Sequence, residues 1–194
     1  MHRVWELDSI EAVGGYPIDV DGRPVVVDGP YGSAIEFNGA GDALFVEANP
    51  LAGLEAFTVE MVFRPDAGGL PEQRFFHLGE VNGDRVLFET RLTEDGHWYL
   101  DTFISSGDSN RPLLNESHLH PVGQWYHLAL TCDGQQEVNY VNGIQEASGS
   151  IDFVPLLGGQ TSIGVRLNRV CWFRGAIGRI RFSAGVLDPD EFMG

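Results

Sequence analysis

Short stretches in which apolar and polar residues alternate one by one recur along almost the whole chain. Glycine-, proline- and asparagine-containing turns separate them, and helical periodicity is nearly absent. This alternation marks strands with one buried face, and it predicts strands at 24–28, 33–38, 43–47, 56–64, 74–80, 84–91, 97–105, 124–132, 136–142, 160–166 and 175–183. A sheet of so many strands tends to curl or to split into two packed layers. The expected fold is therefore all-β, a two-sheet antiparallel jelly-roll sandwich, formed as a single domain over residues 1–194. Only LDPDEF, 187–192, reads as a helical turn, with Asp188 as its cap and Pro189 next. The stretch 106–123 reads as the longest irregular loop.

The formal net charge of −16, with all twelve basic residues arginine, opposes binding to nucleic acid or to anionic lipid. No apolar run is long enough to insert into a membrane. Cys132 and Cys171 allow one disulfide at most; Cys132 falls on the apolar parity of its strand, so both are expected to be free thiols. The opening MHRVWELDSI lacks the apolar run of a signal peptide, which implies a cytoplasmic protein, or a secreted or periplasmic one whose leader has been removed.

Parity divides each strand into two faces. The inward set comprises Phe57, Val59, Met61, Phe76, Leu78, Val86, Phe88, Trp98, Leu100, Leu128, Leu130, Ile163 and Val165. The outward set holds Glu60, His77, Glu89, Arg91, Asp101, His127 and Arg166, mixed with Phe75, Tyr99, Phe103 and Trp125. Carboxylates and arginines on a wet sheet face are ordinary; two histidines and four aromatics among them are not. If these strands share one sheet, the set forms a site. Aromatic faces suit sugar C–H groups, and a guanidinium offers a fork to hydroxyls or a carboxylate.

Four segments in order resemble one family. SAIEFNGAGDALFV (33–46), EAFTVEMVFRP (55–65, with Val62 where tryptophan is usual), GQWYHLALTCDGQQEVNYVNG (123–143) and GAIGRIRFSAGVLDPDEF (175–192) are similar to the motifs of bacterial laminin-G-like, concanavalin A-like lectin/glucanase domains. The resemblance implies a jelly roll with one concave sheet face and three functional readings. The first is glycan recognition on that face by His77, Glu89, Arg91, Tyr99, Asp101, His127 and Arg166. The second is a polysaccharide lyase or glycoside hydrolase on the same face, with His127, Glu89 and Asp101 as catalytic candidates. The third is a structural or adhesion domain. The E-x-D-x-x-E signature of the family's glucanases is missing, since FETRL places Thr90 and Arg91 there. Many relatives hold a structural calcium. Asn38 and Asp42 match part of that ligand set, while Gly178 stands where a further aspartate would be. Glu89, Arg91, Asp101 and His127 are expected in one pocket, with Arg91 as anchor and His127 as proton donor or acceptor. Replacing Arg91 by alanine is expected to abolish binding and leave the fold intact.

Overall fold

The computed structural model describes residues 2–193. Seventeen strands, numbered in chain order, form two antiparallel sheets. Sheet one contains β1 (His2–Glu6), β4 (Val25–Gly29), β5 (Gly32–Asn38), β7 (Phe57–Pro65), β13 (Tyr126–Cys132), β14 (Gln136–Val141), β15 (Ile144–Ser150) and β17 (Arg174–Ala184). Its order is β15-β14-β13-β7-β17-β5-β4, with β1 also paired to β17. Sheet two contains β2 (Ala12–Val13), β3 (Tyr16–Asp21), β6 (Ala43–Val46), β8 (Glu72–Gly79), β9 (Arg85–Leu92), β10 (His97–Ser106), β11 (Ser109–Leu114), β12 (His120–Pro121) and β16 (Gln160–Ile163). Its order is β11-β10-β9-β8-β16-β6-β3-β2, with β12 on β10.

Between the sheets lies one apolar core, and every residue assigned inward by parity is buried in the structure. Phe63, central on β7, stacks on Phe75 with ring centroids 4.8 Å apart and meets Trp98 edge-on at 4.9 Å. Phe75, outward by parity, is likewise buried. A bulge between Arg74 and Phe76 lets β8 turn both Phe75 and Phe76 into the core, because the extra residue resets the strand's alternation.

The stretch 106–123 is not irregular throughout. It contains β11, which pairs with β10 at the edge of sheet two, and β12. An edge strand has one unpaired side, so it tolerates Pro112 and a polar composition that carries little alternation. The closing turn forms over Pro189–Glu191, where the Glu191 side chain accepts the Asp188 N–H at 3.1 Å. Cys132 and Cys171 are both free.

The segment 164–173 determines the environment of the site. It leaves β16 at Gly164, where φ is +89° and a Cβ would meet the Phe37 ring at 2.4 Å, so only glycine fits. The Phe173 N–H donates to Gly164 O at 2.9 Å and closes the loop at its neck. Arg74 N–H donates to Cys171 O at 2.8 Å, tying the loop to β8 on the outer side of sheet two.

Candidate functional site

Three strands build a charged row across the outer face of sheet two. In register, Glu72 of β8 opposes Arg91 of β9, which opposes Tyr99 of β10; one row along, Arg74, Glu89 and Asp101 align in the same way. Cross-strand neighbours on one face sit about 5 Å apart, so the charges pair. Arg91 reaches Glu72 at 2.6 Å, Asp101 at 2.7 Å and Glu89 at 3.3 Å. Arg74 reaches Glu72 at 2.6 Å and Glu89 at 3.2 Å.

These carboxyls are far from an ordinary solvated face. The Glu89 and Asp101 side chains are only 4% and 2% exposed, while Glu72, Arg74 and Arg91 form a half-buried rim above them. Burial, then repulsion from Asp101, pushes the Glu89 carboxyl up to about 7 against the pull of Arg74 and Arg91. Burial likewise raises the Asp101 carboxyl, although Arg91 opposes the shift. At the rim the two arginines outweigh burial and hold Glu72 below its ordinary value. Tyr99 and Phe103 flank Asp101 on the same side of β10, both half-buried, and the Arg85 guanidinium lies 5.0 Å from the Phe103 ring centroid.

His77 and Arg166 share this outer face in different roles. His77 is fully buried. Its Nε2–H donates to Glu80 O at 3.0 Å, and its Nδ1 accepts the Leu167 N–H at 3.4 Å. Both ring nitrogens are thus satisfied in the neutral form, and burial pushes the imidazole down to about 4. His77 therefore pins the 164–173 loop to the sheet. Arg166, on that loop, donates to Val81 O at 2.9 Å.

His127 and Glu60 do not join them. β13 and β7 pair with each other in sheet one, so both side chains lie on the opposite outer surface of the sandwich. Parity says which way a side chain points from its sheet; it carries no information about which sheet. Glu60 accepts from His127 Nε2 at 3.1 Å, from the Met193 N–H at 2.6 Å and from Arg181 Nε. Burial alone would raise its carboxyl, but the bonds from His127, Arg181 and Met193 lower it overall. Arg181 also donates to Glu191 O at 2.7 Å, so this cluster clamps the C-terminal turn. The pocket expected to unite His127 with Glu89, Arg91 and Asp101 does not form. Trp125, also expected on the shared face, lies just before β13 with Arg64 at 5.4 Å from its ring centroid.

The expected calcium ligands hold a turn instead. Asp42, 4% exposed, accepts the Arg23 N–H at 2.7 Å and the Asn38 N–H at 3.1 Å, one on each oxygen. Asn38 Oδ1 accepts the Ala40 N–H at 2.8 Å. Among the described residues no three His, Cys, Asp or Glu side chains gather to hold a metal. Both Asp42 oxygens and the Asn38 amide oxygen are thereby committed to backbone N–H groups.

Two antiparallel sheets in this order define a concanavalin A-like jelly roll. The family model described as the concanavalin A-like lectin/glucanases superfamily (Laminin_G_3) matches residues 38–192, and the chain belongs to that family. No curated protein sequence matches it. Among solved structures it is similar to domain 4 of AbnA, a GH43 extracellular arabinanase from Geobacillus stearothermophilus, in complex with arabinotriose. That match has a TM-score of 0.65 and 20% identity, covering 97% of this chain and 94% of the other. The receptor binding domain of botulinum neurotoxin D superposes with a TM-score of 0.71 at 16% identity, over 98% of this chain and 50% of that one. A heptameric SAP-like pentraxin from Limulus polyphemus gives 0.61 at 18%, over 80% and 77%. At these identities the likeness is one of fold. No helix of the described residues is long and apolar enough to cross a membrane.

Proposed function

We propose that the outer face of sheet two binds a carbohydrate. One observation carries the reading. Tyr99 and Phe103 present half-buried rings four residues apart on β10, with Asp101 between them paired to Arg91, which also reaches Glu89. Four residues of strand span roughly 13 Å, room for more than one sugar ring. Rings at that spacing offer stacking faces, and the half-buried Glu72 and Arg91 at the rim offer oriented hydrogen-bond partners. Likeness of fold to an arabinanase domain solved with arabinotriose supports the reading.

The test is an oligosaccharide array probed with the parent chain, Tyr99→Ala and Phe103→Ala, with Ile144→Ser on the exposed edge of sheet one as control. Tyr99→Ala and Phe103→Ala should each weaken binding at least tenfold, and the control should not. Equal binding by all four chains would refute the assignment of the face. The Glu89 carboxyl, held up to about 7, favours a second reading in which it donates a proton during glycoside cleavage. New reducing ends from bound oligosaccharides, lost in Glu89→Gln, would establish it.

A further inference from the structure

The outer face of sheet one carries a groove of its own, across the sandwich from the charged row. Val62 and His127, neighbours across β7 and β13, lie at its floor. Trp125, just before β13, and Tyr31, in the two-residue turn between β4 and β5, line its first part, a cavity of about 180 Å³. A second cavity of about 380 Å³ shares Tyr31, His127 and Asn142 with the first and runs on to Phe192 and Met193 of the C-terminal segment. That segment is fixed in place. Phe192 packs on His127 and Tyr140 with ring centroids 5.6 Å and 5.2 Å apart, and Glu60 accepts the Met193 N–H at 2.6 Å. Taken together, the two cavities are of the size that small-molecule sites occupy.

The groove offers polar atoms that the fold leaves unspent. Asn142 (φ +51°) and Gly143 (φ +76°) make the tight turn between β14 and β15. Asn142 Oδ1 accepts the His127 N–H at 2.9 Å, and the Asn142 N–H donates to His127 O at 2.7 Å. The side-chain amide is thus held by its oxygen, with its NH₂ free. His127 Nε2–H donates at 3.1 Å to Glu60, whose hydrogen bonds keep its carboxyl below the ordinary value and so ionised. That leaves His127 Nδ1 as an acceptor. Among the described residues no protein group bonds to this Nδ1, to the Asn142 NH₂, to the Trp125 indole N–H or to the Tyr31 hydroxyl. Trp125 and His127 are half-buried, and Tyr31 and Asn142 are exposed, so these groups are within reach of a ligand. The nearby arginines are all engaged. Arg64, 5.4 Å from the Trp125 ring centroid, pairs with Glu36 and Asp66; Arg179, 5.5 Å from that of Tyr31, pairs with Glu6; and Arg181 pairs with Glu60. Asp190 lines the C-terminal end and has no ion-pair partner among the described residues. An acidic ligand would find no free guanidinium here, and a carboxylate in its way.

We propose that this groove is a second binding site, for a neutral sugar, with Trp125, Tyr31, His127 and Asn142 as its contacts. Each sugar hydroxyl both donates and accepts, and the groove supplies one acceptor, two N–H donors and a phenol that does either. The two aromatic rings, each beside an arginine, offer apolar faces to sugar C–H groups. The site stands on its own residues and does not rest on the reading of sheet two.

The indole N–H signals in NMR spectra of the isotope-labelled full chain test this, with the Trp125 signal identified from Trp125→Phe. The ligands are trimers of glucose, xylose, mannose and arabinose, compared with a galacturonate trimer, a glucosamine trimer and a proline-rich peptide. At least one neutral trimer should shift the Trp125 signal saturably at millimolar concentration and leave those of the buried Trp5 and Trp98 in place. Tyr31→Ala, at an exposed position, and Val62→Trp, which fills the floor, should each weaken that binding at least tenfold. Leu157→Ser, at a side chain 93% exposed and outside the groove, should not. Because the signal belongs to Trp125, the result is independent of what binds to sheet two. No saturable shift with any neutral trimer would overturn the proposal, and so would undiminished binding in both Tyr31→Ala and Val62→Trp. Equal affinity for the galacturonate or glucosamine trimer would overturn the preference for a neutral ligand. Binding of the peptide in place of every sugar would overturn the assignment to carbohydrate.

Discussion

Removing Arg91 tests whether the charge network is a solvated surface or a buried structure. Among the described residues Asp101 has no ion-pair partner but Arg91, which donates to it from Nε at 3.1 Å and Nη2 at 2.7 Å. Asp101 Oδ1 already lacks a partner, so Arg91→Ala leaves a carboxyl 2% exposed with no donor. Glu89 keeps Arg74 alone. Stripping one member from a buried pair costs about 3–5 kcal/mol. Arg91 itself is 28% exposed, which argues for the lower end, about 3 kcal/mol. The cost depends on pH with a definite sign. Without the arginine both folded carboxyls hold protons more tightly, so the variant keeps its stability below the unfolded carboxyl range and loses it as pH rises through the raised folded values. The gap between parent and variant should be about 3 kcal/mol at pH 8 and smaller at pH 5, because proton uptake removes unpaired buried charge. Urea unfolding at the two pH values, followed by tryptophan fluorescence, measures it. A gap below about 1 kcal/mol at pH 8, or one equal at both pH values, would refute the argument.

Glu137 of β14 is fully buried, neither carboxyl oxygen has a partner, and burial pushes it up to about 7, with Arg111 pulling the other way. Glu137→Gln should match the parent at pH 5 and exceed it by up to about 3 kcal/mol at pH 8, since the parent loses stability as pH rises through about 7. A pH-independent difference in urea unfolding would show that Glu137 is solvated. Thiol titration of denatured, unreduced protein should find two thiols. In the native state Cys132, buried and pushed up to about 11, should react far more slowly than Cys171. Phe63→Ala removes the ring that meets Phe75, Trp98 and Phe173, and should cost about 3–5 kcal/mol in the same unfolding assay. Glu60→Gln should speed hydrogen exchange over 188–193 with little change elsewhere, because Glu60 holds Met193 N–H directly and Glu191 O through Arg181.

Alternation in segments such as FTVEMVF and RVLFETRL determined that the chain is a β-sandwich and which side chains fill it, because a strand's side-chain period is fixed at two by its backbone. The sequence also sufficed to place Glu89, Arg91, Asp101 and Tyr99 on one outward face, since neighbouring hairpin strands keep a common face. Phe75 was illegible because a bulge resets the alternation without a sequence mark as clear as the period it breaks. His127 and Glu60 were misplaced for a different reason: sheet membership depends on which strands pair across long sequence separations, and period two is identical in either sheet. The burial of Glu89 and Asp101 and the neutral state of His77 were decided by tertiary structure alone. The state of His77 depends on the 80–84 turn and the 164–173 loop meeting over β8, and such contacts between distant segments leave no local pattern to read.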